Sequence, residues 1–257
     1  MLEIIWLAAL LAGLFMWVRH DAREYRTFKT LTDTRARQRC YWRWTVQSFV
    51  ILAGASVVTL WLLGRLDALA GLPAEFEPLA GLVQTPEASG ASPSGSADWM
   101  LGFAMGAALG VGVLAFIQWR RVRGMLTPVI GDIEPLLPRN GRERMLAIPL
   151  SLNAGFSEEL FFRLALPLLV AHVTGSAAVG LAVATAAFGL VHAYQGWKGV
   201  VGTGIIGGVL MVQYLAHGSL LRVMAIHAAI DLVALLVRPA LTGWIAARRP
   251  MRAAEPA

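Results

Sequence analysis

Apolar runs alternating with short arginine-rich segments set the pattern of this chain, and each run is read as a helix because no period-two alternation interrupts it. Residues 2–18 form the first, with Trp6 and Trp17 near its ends, and a rise of about 1.5 Å per residue makes it just long enough to span a bilayer. Further spans are predicted over residues 44–63, 99–119, 145–173, 177–194, 199–216 and 220–237. The fourth is long for one crossing, and Pro149, Gly155 and Pro167 are placed to bend it. Residues 19–43 read as a basic helical or interfacial loop, and residues 65–98, rich in Pro, Gly, Ser and Ala, as an acidic loop with some disorder.

Composition supports this reading. With 257 residues, 57% of them hydrophobic, 15% charged, and a mean hydropathy of +0.61, the chain is too apolar for a soluble domain. The expected fold is all-α, a polytopic membrane protein of about seven transmembrane helices. Net charge is +6, yet all of the 22 Lys and Arg residues except Arg65, Arg163 and Arg222 fall in segments that the seven-span order puts on one side. This is the bias that sets membrane topology rather than a nucleic-acid stripe, and it puts the N-terminus outside and the C-terminus in the cytoplasm. The single cysteine, Cys40, excludes an internal disulfide. The absence of a eukaryotic targeting motif favours a bacterial plasma membrane.

Against this background the fourth span is anomalous, because FSEELFFRLALPLL carries Glu158, Glu159 and Arg163 in a membrane-crossing stretch. Each charge at a helix centre costs ~2.5–3.5 kcal/mol on insertion scales, so such a cluster must be paired and buried in protein. Residues four apart on a helix are offset by ~40°, which lets Glu159 meet Arg163, whereas Glu158 lies ~140° from Arg163 and is the freer carboxylate. Two more spans carry ionisable residues in pairs at the same spacing: His192 with Phe188 in the fifth, and His227 with Asp231 in the seventh. A site between the fourth, fifth and seventh helices follows, as a cavity tapering from the cytoplasmic side. His20, His172, His217 and Arg222 read as interfacial or snorkelling groups, and Tyr194, Gln195 and Trp197 as either the cavity mouth or an interface anchor.

GFSEELFFR resembles the EExxxR motif, FGLVH the FxxxH motif and HAAID the HxxxN/D motif of the CAAX-protease and bacteriocin-processing family of glutamic intramembrane proteases. The three occur in order on successive helices within residues 146–237. The resemblance implies an intramembrane endopeptidase without a cofactor or metal. In it Glu158 and His192 would activate a water, His227 and Asp231 would stabilise the oxyanion, and Glu159, Arg163 and Phe188 would support them. Where some members have Asn, this chain has Asp231, which when ionised can only accept; it would orient His227 as an acceptor or act protonated. Implied partners are a membrane-associated protein or peptide substrate and the bilayer, with no nucleic acid.

Two other readings use the same residues. A zinc-dependent membrane protease would take Glu158, His192, His227 and Asp231 as ligands, although no HExxH is present. A non-proteolytic scaffold or ion-coupled transporter would use the cluster as glue or as a proton relay. The expected organisation is a three-helix membrane region over residues 1–144, a catalytic core over 145–238, and a basic tail over 239–257. Gly102, Gly106 and Gly110 form a small-residue ridge for packing within the chain or for a homodimer seam.

Overall fold

The computed structural model describes residues 1–83 and 131–247, and over them the chain is helical throughout, with no strand. The predicted third span, its glycine ridge, the segments 84–98 and 120–130, and the tail from residue 248 lie outside the described residues. Helix α1 is Leu2–Thr30 and α2 is Thr34–Leu62, the latter interrupted by a π-helical turn at Phe49–Ala53. A short helix, α3, covers Glu77–Val83. Helix α4 runs unbroken over 141–174 through a π-helical stretch at Leu160–Ala165. Helices α5 (Ala177–Val191), α6 (Trp197–His217) and α7 (220–247, with a π-helical turn at Val233–Val237) complete the described fold. Among the described residues, four helical segments, Leu2–Thr30, Thr34–Leu62, Trp197–His217 and Leu220–Leu241, are long and apolar enough to cross a membrane.

Two boundaries differ from the sequence expectation. Residues 19–30 continue α1 instead of forming a loop, because Trp17, Asp21, Tyr25 and Phe28 fall on one helix face, and Tyr25 and Phe28 are buried. The segment read as an acidic loop holds helical turns from Leu66 to Val83, where Ala68, Phe76 and Ala80 enter the core. Three apolar residues at loose helical spacing outweigh the polar composition around them.

The centre of the bundle is α4. Every residue from Leu160 to Ala171 is buried, Arg163 included, so this stretch is enclosed on all sides by other helices. Glycines set how closely those helices approach. A Cβ on Gly155 would lie 2.6 Å from the Met224 carbonyl oxygen and 2.8 Å from Ala228, which draws α4 and α7 together backbone to backbone. A Cβ on Gly180 would lie 2.3 Å from the Pro167 carbonyl oxygen, which does the same for α4 and α5.

The two ends of the bundle are tied differently. At one end Glu75 pairs with Arg65 and meets His172 at 3.3 Å. At the other, Arg37 of α2 reaches Glu143 in the first turn of α4, both fully buried, with contacts of 3.3 Å. Arg37 also donates to the Pro135 carbonyl at 3.1 Å and lies 4.3 Å over the Phe28 ring. Glu143 accepts in addition from the Arg139 amide and the Asn140 side chain, while Asn140 caps α4 by accepting from the Glu143 amide at 2.9 Å. Removing one partner of a buried pair leaves an uncompensated charge, at a cost of about 3–5 kcal/mol. Glu143→Ala should therefore lower the unfolding free energy in detergent by about that amount, and Arg37→Met combined with Glu143→Leu should recover most of it, as read from chemical denaturation.

Candidate active site

The polar residues of α4, α5 and α7 converge on one region, and exposure divides them into two sets. Glu159 and Arg163 are fully buried, with Phe188 and His227 nearly so. Glu158, His192, Tyr194 and Asp231 are each partly exposed and face the accessible side.

Glu159 anchors the buried set. Arg163 donates to both of its oxygens, Nε to Oε2 at 2.8 Å and Nη2 to Oε1 at 3.1 Å, and Oε1 also accepts from His227 Nδ1 at 2.8 Å. The pair with Arg163 lies within a single helix, so it cannot by itself hold one helix to another; the bond to His227 does, joining α4 to α7. A carboxylate bound to a guanidinium is an acceptor, so the shared proton sits on Nδ1, and Nε2 of His227 lies on the side of Asp231. The residue that orients His227 is thus Glu159 and not Asp231, whose Oδ2 stands 4.0 Å from Nε2, beyond hydrogen-bond distance. Sequence spacing alone pointed to Asp231 because it shares a helix with His227; the contact from α4 depends on the Gly155 crossing.

Phe188 fills the space among these groups. Its ring lies 4.5 Å from the Arg163 guanidinium carbon, 5.0 Å from the His192 ring and 5.7 Å, edge to face, from the His227 ring. A Cβ on Gly207 of α6 would come within 2.6 Å of the Phe188 ring, so this glycine leaves the room that the phenylalanine occupies. The Phe188 carbonyl accepts from His192 Nδ1 at 2.8 Å. A carbonyl cannot donate, so Nδ1 carries the hydrogen and Nε2 of the neutral ring is an acceptor.

Glu158 points away from this network. Its Oε2 is buried without a hydrogen-bond partner and lies 4.0 Å from His192 Nε2. Two acceptors at that separation can each stand about 2.8 Å from one water oxygen placed between them. Such a water would donate both of its hydrogens, and its lone pairs would face away from the protein toward whatever enters the cavity.

Side chains outside the three motifs complete the walls. Asp21 of α1 accepts from Trp17 Nε1 at 2.6 Å and lies within electrostatic range of Glu158. Tyr194, on the 3₁₀ turn Ala193–Gln195 after α5, is turned inward beside His192, while Trp197 is exposed as an interface anchor would be. Asp21 escapes sequence reasoning because it sits among arginines; the helical spacing Trp17–Asp21–Tyr25–Phe28 is the signal that could have found it. Among the described residues no group of three His, Cys, Asp or Glu side chains is arranged to hold a metal ion.

The adjacent glutamates have opposite thermodynamic roles. Glu159→Ala would strand Arg163 and His227 in a dry interior and should destabilise by about 3–5 kcal/mol. Glu158→Ala removes an unpartnered acceptor and should leave stability within about 1 kcal/mol of wild type or raise it. Denaturation of both variants in one detergent checks the contrast.

Residues 141–233 match the family model described as "Rce1-like: Type II CAAX prenyl endopeptidase Rce1-like". The matched segment contains all three motifs and excludes α1 and α2. No curated protein and no solved structure matches the chain.

Proposed function

We propose, from the match of residues 141–233 to the Rce1-like type II CAAX prenyl endopeptidase family model, that this chain is an intramembrane endopeptidase of the glutamic type. Its substrate is a membrane-associated protein or peptide, and the scissile bond lies in or near the cytoplasmic half of the bilayer. The observation that carries the proposal is the orphaned Glu158 Oε2 opposite the acceptor nitrogen of His192, 4.0 Å away.

In this reading, water between Glu158 and His192 gives one proton to Glu158 as its oxygen bonds to the peptide carbonyl carbon. The carbonyl π electrons move onto oxygen, and the resulting oxyanion lies against the Nε2–H of His227, held in its protonated form by Glu159 on one nitrogen and by the nearby Asp231 on the other side. Collapse of the tetrahedral intermediate breaks the C–N bond, and the proton on Glu158 passes to the leaving amine. General-base action of this kind typically contributes ~10²–10⁴ in rate, and one preorganised oxyanion donor ~10²–10³. Arg163 and Phe188 fix the positions of Glu159 and of both imidazoles.

The topology proposed with it has seven spans, the N-terminus outside and the C-terminus in the cytoplasm of a bacterial cell, with the site reached from the cytoplasmic side. The arginine-rich segments and the Arg37–Glu143 tie belong to that end of the bundle. Detergent-purified protein should cleave members of a library of membrane-anchored peptides, and Glu158→Ala and His192→Ala should each lower kcat by at least about 10²-fold. A chelator should leave the rate unchanged. Cleavage that survives both substitutions would refute the mechanism, and loss with chelator would transfer it to a metal.

A further inference from the structure

The oxyanion side of the site is short of donors. His192 commits its only N–H to the Phe188 carbonyl, and Glu158 and Asp231 are acceptors when ionised. Arg163 keeps an unpartnered Nη1, but its side chain is fully buried, so no substrate atom can reach it. Among the described residues, a further donor beside His192 is the hydroxyl of Tyr194.

That hydroxyl is held with unusual completeness for a group on a surface turn. Gln195 Nε2 donates to it at 3.0 Å, which occupies an acceptor lone pair and leaves the phenolic hydrogen free; among the described residues it donates to no protein group. The Gln195 side chain is itself wedged between two glycines. A Cβ on Gly131 would lie 2.9 Å from its Oε1, and one on Gly199 would lie 2.4 Å from its Cβ. The Tyr194 ring packs edge-on against Tyr25 at 5.0 Å, Tyr25 donates to the Asp132 carbonyl, and the Asp132 amide donates to the Gln195 carbonyl at 3.0 Å. This circuit of Tyr194, Tyr25, Asp132 and Gln195 joins α1, the segment that precedes α4 and the turn after α5, which restrains the hydroxyl. The ring lies 6.0 Å from that of His192, and Tyr194 is within electrostatic range of Glu158 and Asp231.

We infer that Tyr194 is a further catalytic residue, whose hydroxyl donates a hydrogen bond to the oxygen of the reacting carbonyl alongside His227. The proton stays on Tyr194 throughout; the hydroxyl contributes by its dipole as negative charge develops. Gln195 is a positioning residue, which orients that dipole. The inference rests on the endopeptidase reading above and identifies a group that lies outside all three motifs.

Tyr194→Phe removes only the oxygen and keeps the ring packing, so the test is kinetic. The expected result is a fall in kcat of about 10²-fold, with KM within about threefold of wild type. A peptide aldehyde, whose hydrate resembles the tetrahedral intermediate, should lose affinity by a similar factor while the uncleaved peptide does not. Gln195→Ala should give a smaller fall in kcat of the same character, and equal thermal unfolding midpoints for wild type and Tyr194→Phe would confirm that the fold is intact. Full kcat in Tyr194→Phe, or a rise in KM alone, overturns the inference while leaving the endopeptidase reading in place. Wild-type protein that cleaves no peptide removes that reading and the inference with it.

Discussion

A carboxylate has two oxygens and room for several donors, and Glu159 uses this capacity to hold two helices in register. Its bidentate contact with Arg163 neutralises an arginine that no water reaches, and the same Oε1 fixes His227 on the neighbouring helix. Either contact alone would be a poor investment in a membrane, because desolvating a charge there costs several kcal/mol unless its hydrogen-bonding capacity is met. Together they make a buried unit with one orientation. The position of Glu158 follows from it, since the next residue back on a fixed helix must point about 100° away, out of the unit and toward His192.

Packing supports this electrostatic arrangement through glycines. Gly155 lets α4 and α7 approach until Glu159 can reach His227, and Gly207 makes space for the Phe188 ring. That ring meets the Arg163 cation on its face and lies against both imidazoles, so an apolar residue enforces the spacing of the polar ones. The π-helical stretch Leu160–Ala165 follows immediately on the two glutamates, and a second begins two residues after Asp231. Such turns, with their i→i+5 bonds, shift the faces that follow, and they recur at functional sites for that reason.

How much of this was legible in the sequence depends on whether the relevant geometry is local. The pairing of Glu159 with Arg163 is an i, i+4 relation inside one helix and could be read directly, as could the separate direction of Glu158. The apolar lengths were enough to find α1, α2, α6 and α7 as helices long and apolar enough to cross a membrane. What could not be read was tertiary. The bond between Glu159 and His227 crosses 68 residues and depends on a glycine contact that no spacing announces. Composition also misled in two places: arginine density hid the continuation of α1 through Tyr25 and Phe28, and the acidic character of residues 65–83 hid the core positions Phe76 and Ala80.

The segment that carries the family motifs is not the whole of the site. Helix α1 lies outside it, yet brings Asp21 into electrostatic range of Glu158 and sets Tyr25 against Tyr194. Helix α1 presents Leu2, Ile4, Ile5, Phe15 and Met16 outward, while Leu7, Leu10 and Leu14 pack against the core of the bundle. Polar and aromatic contacts add to this packing: Trp6 donates to Thr59 at one end, and Tyr25, Phe28 and Lys29 make contacts at the other. Arg37 and Glu143 then fix α2 to the very start of the matched segment. A helix that packs one face on the bundle and leaves the other apolar and exposed can flank the candidate site without enclosing it, an arrangement compatible with the proposed membrane-associated substrate.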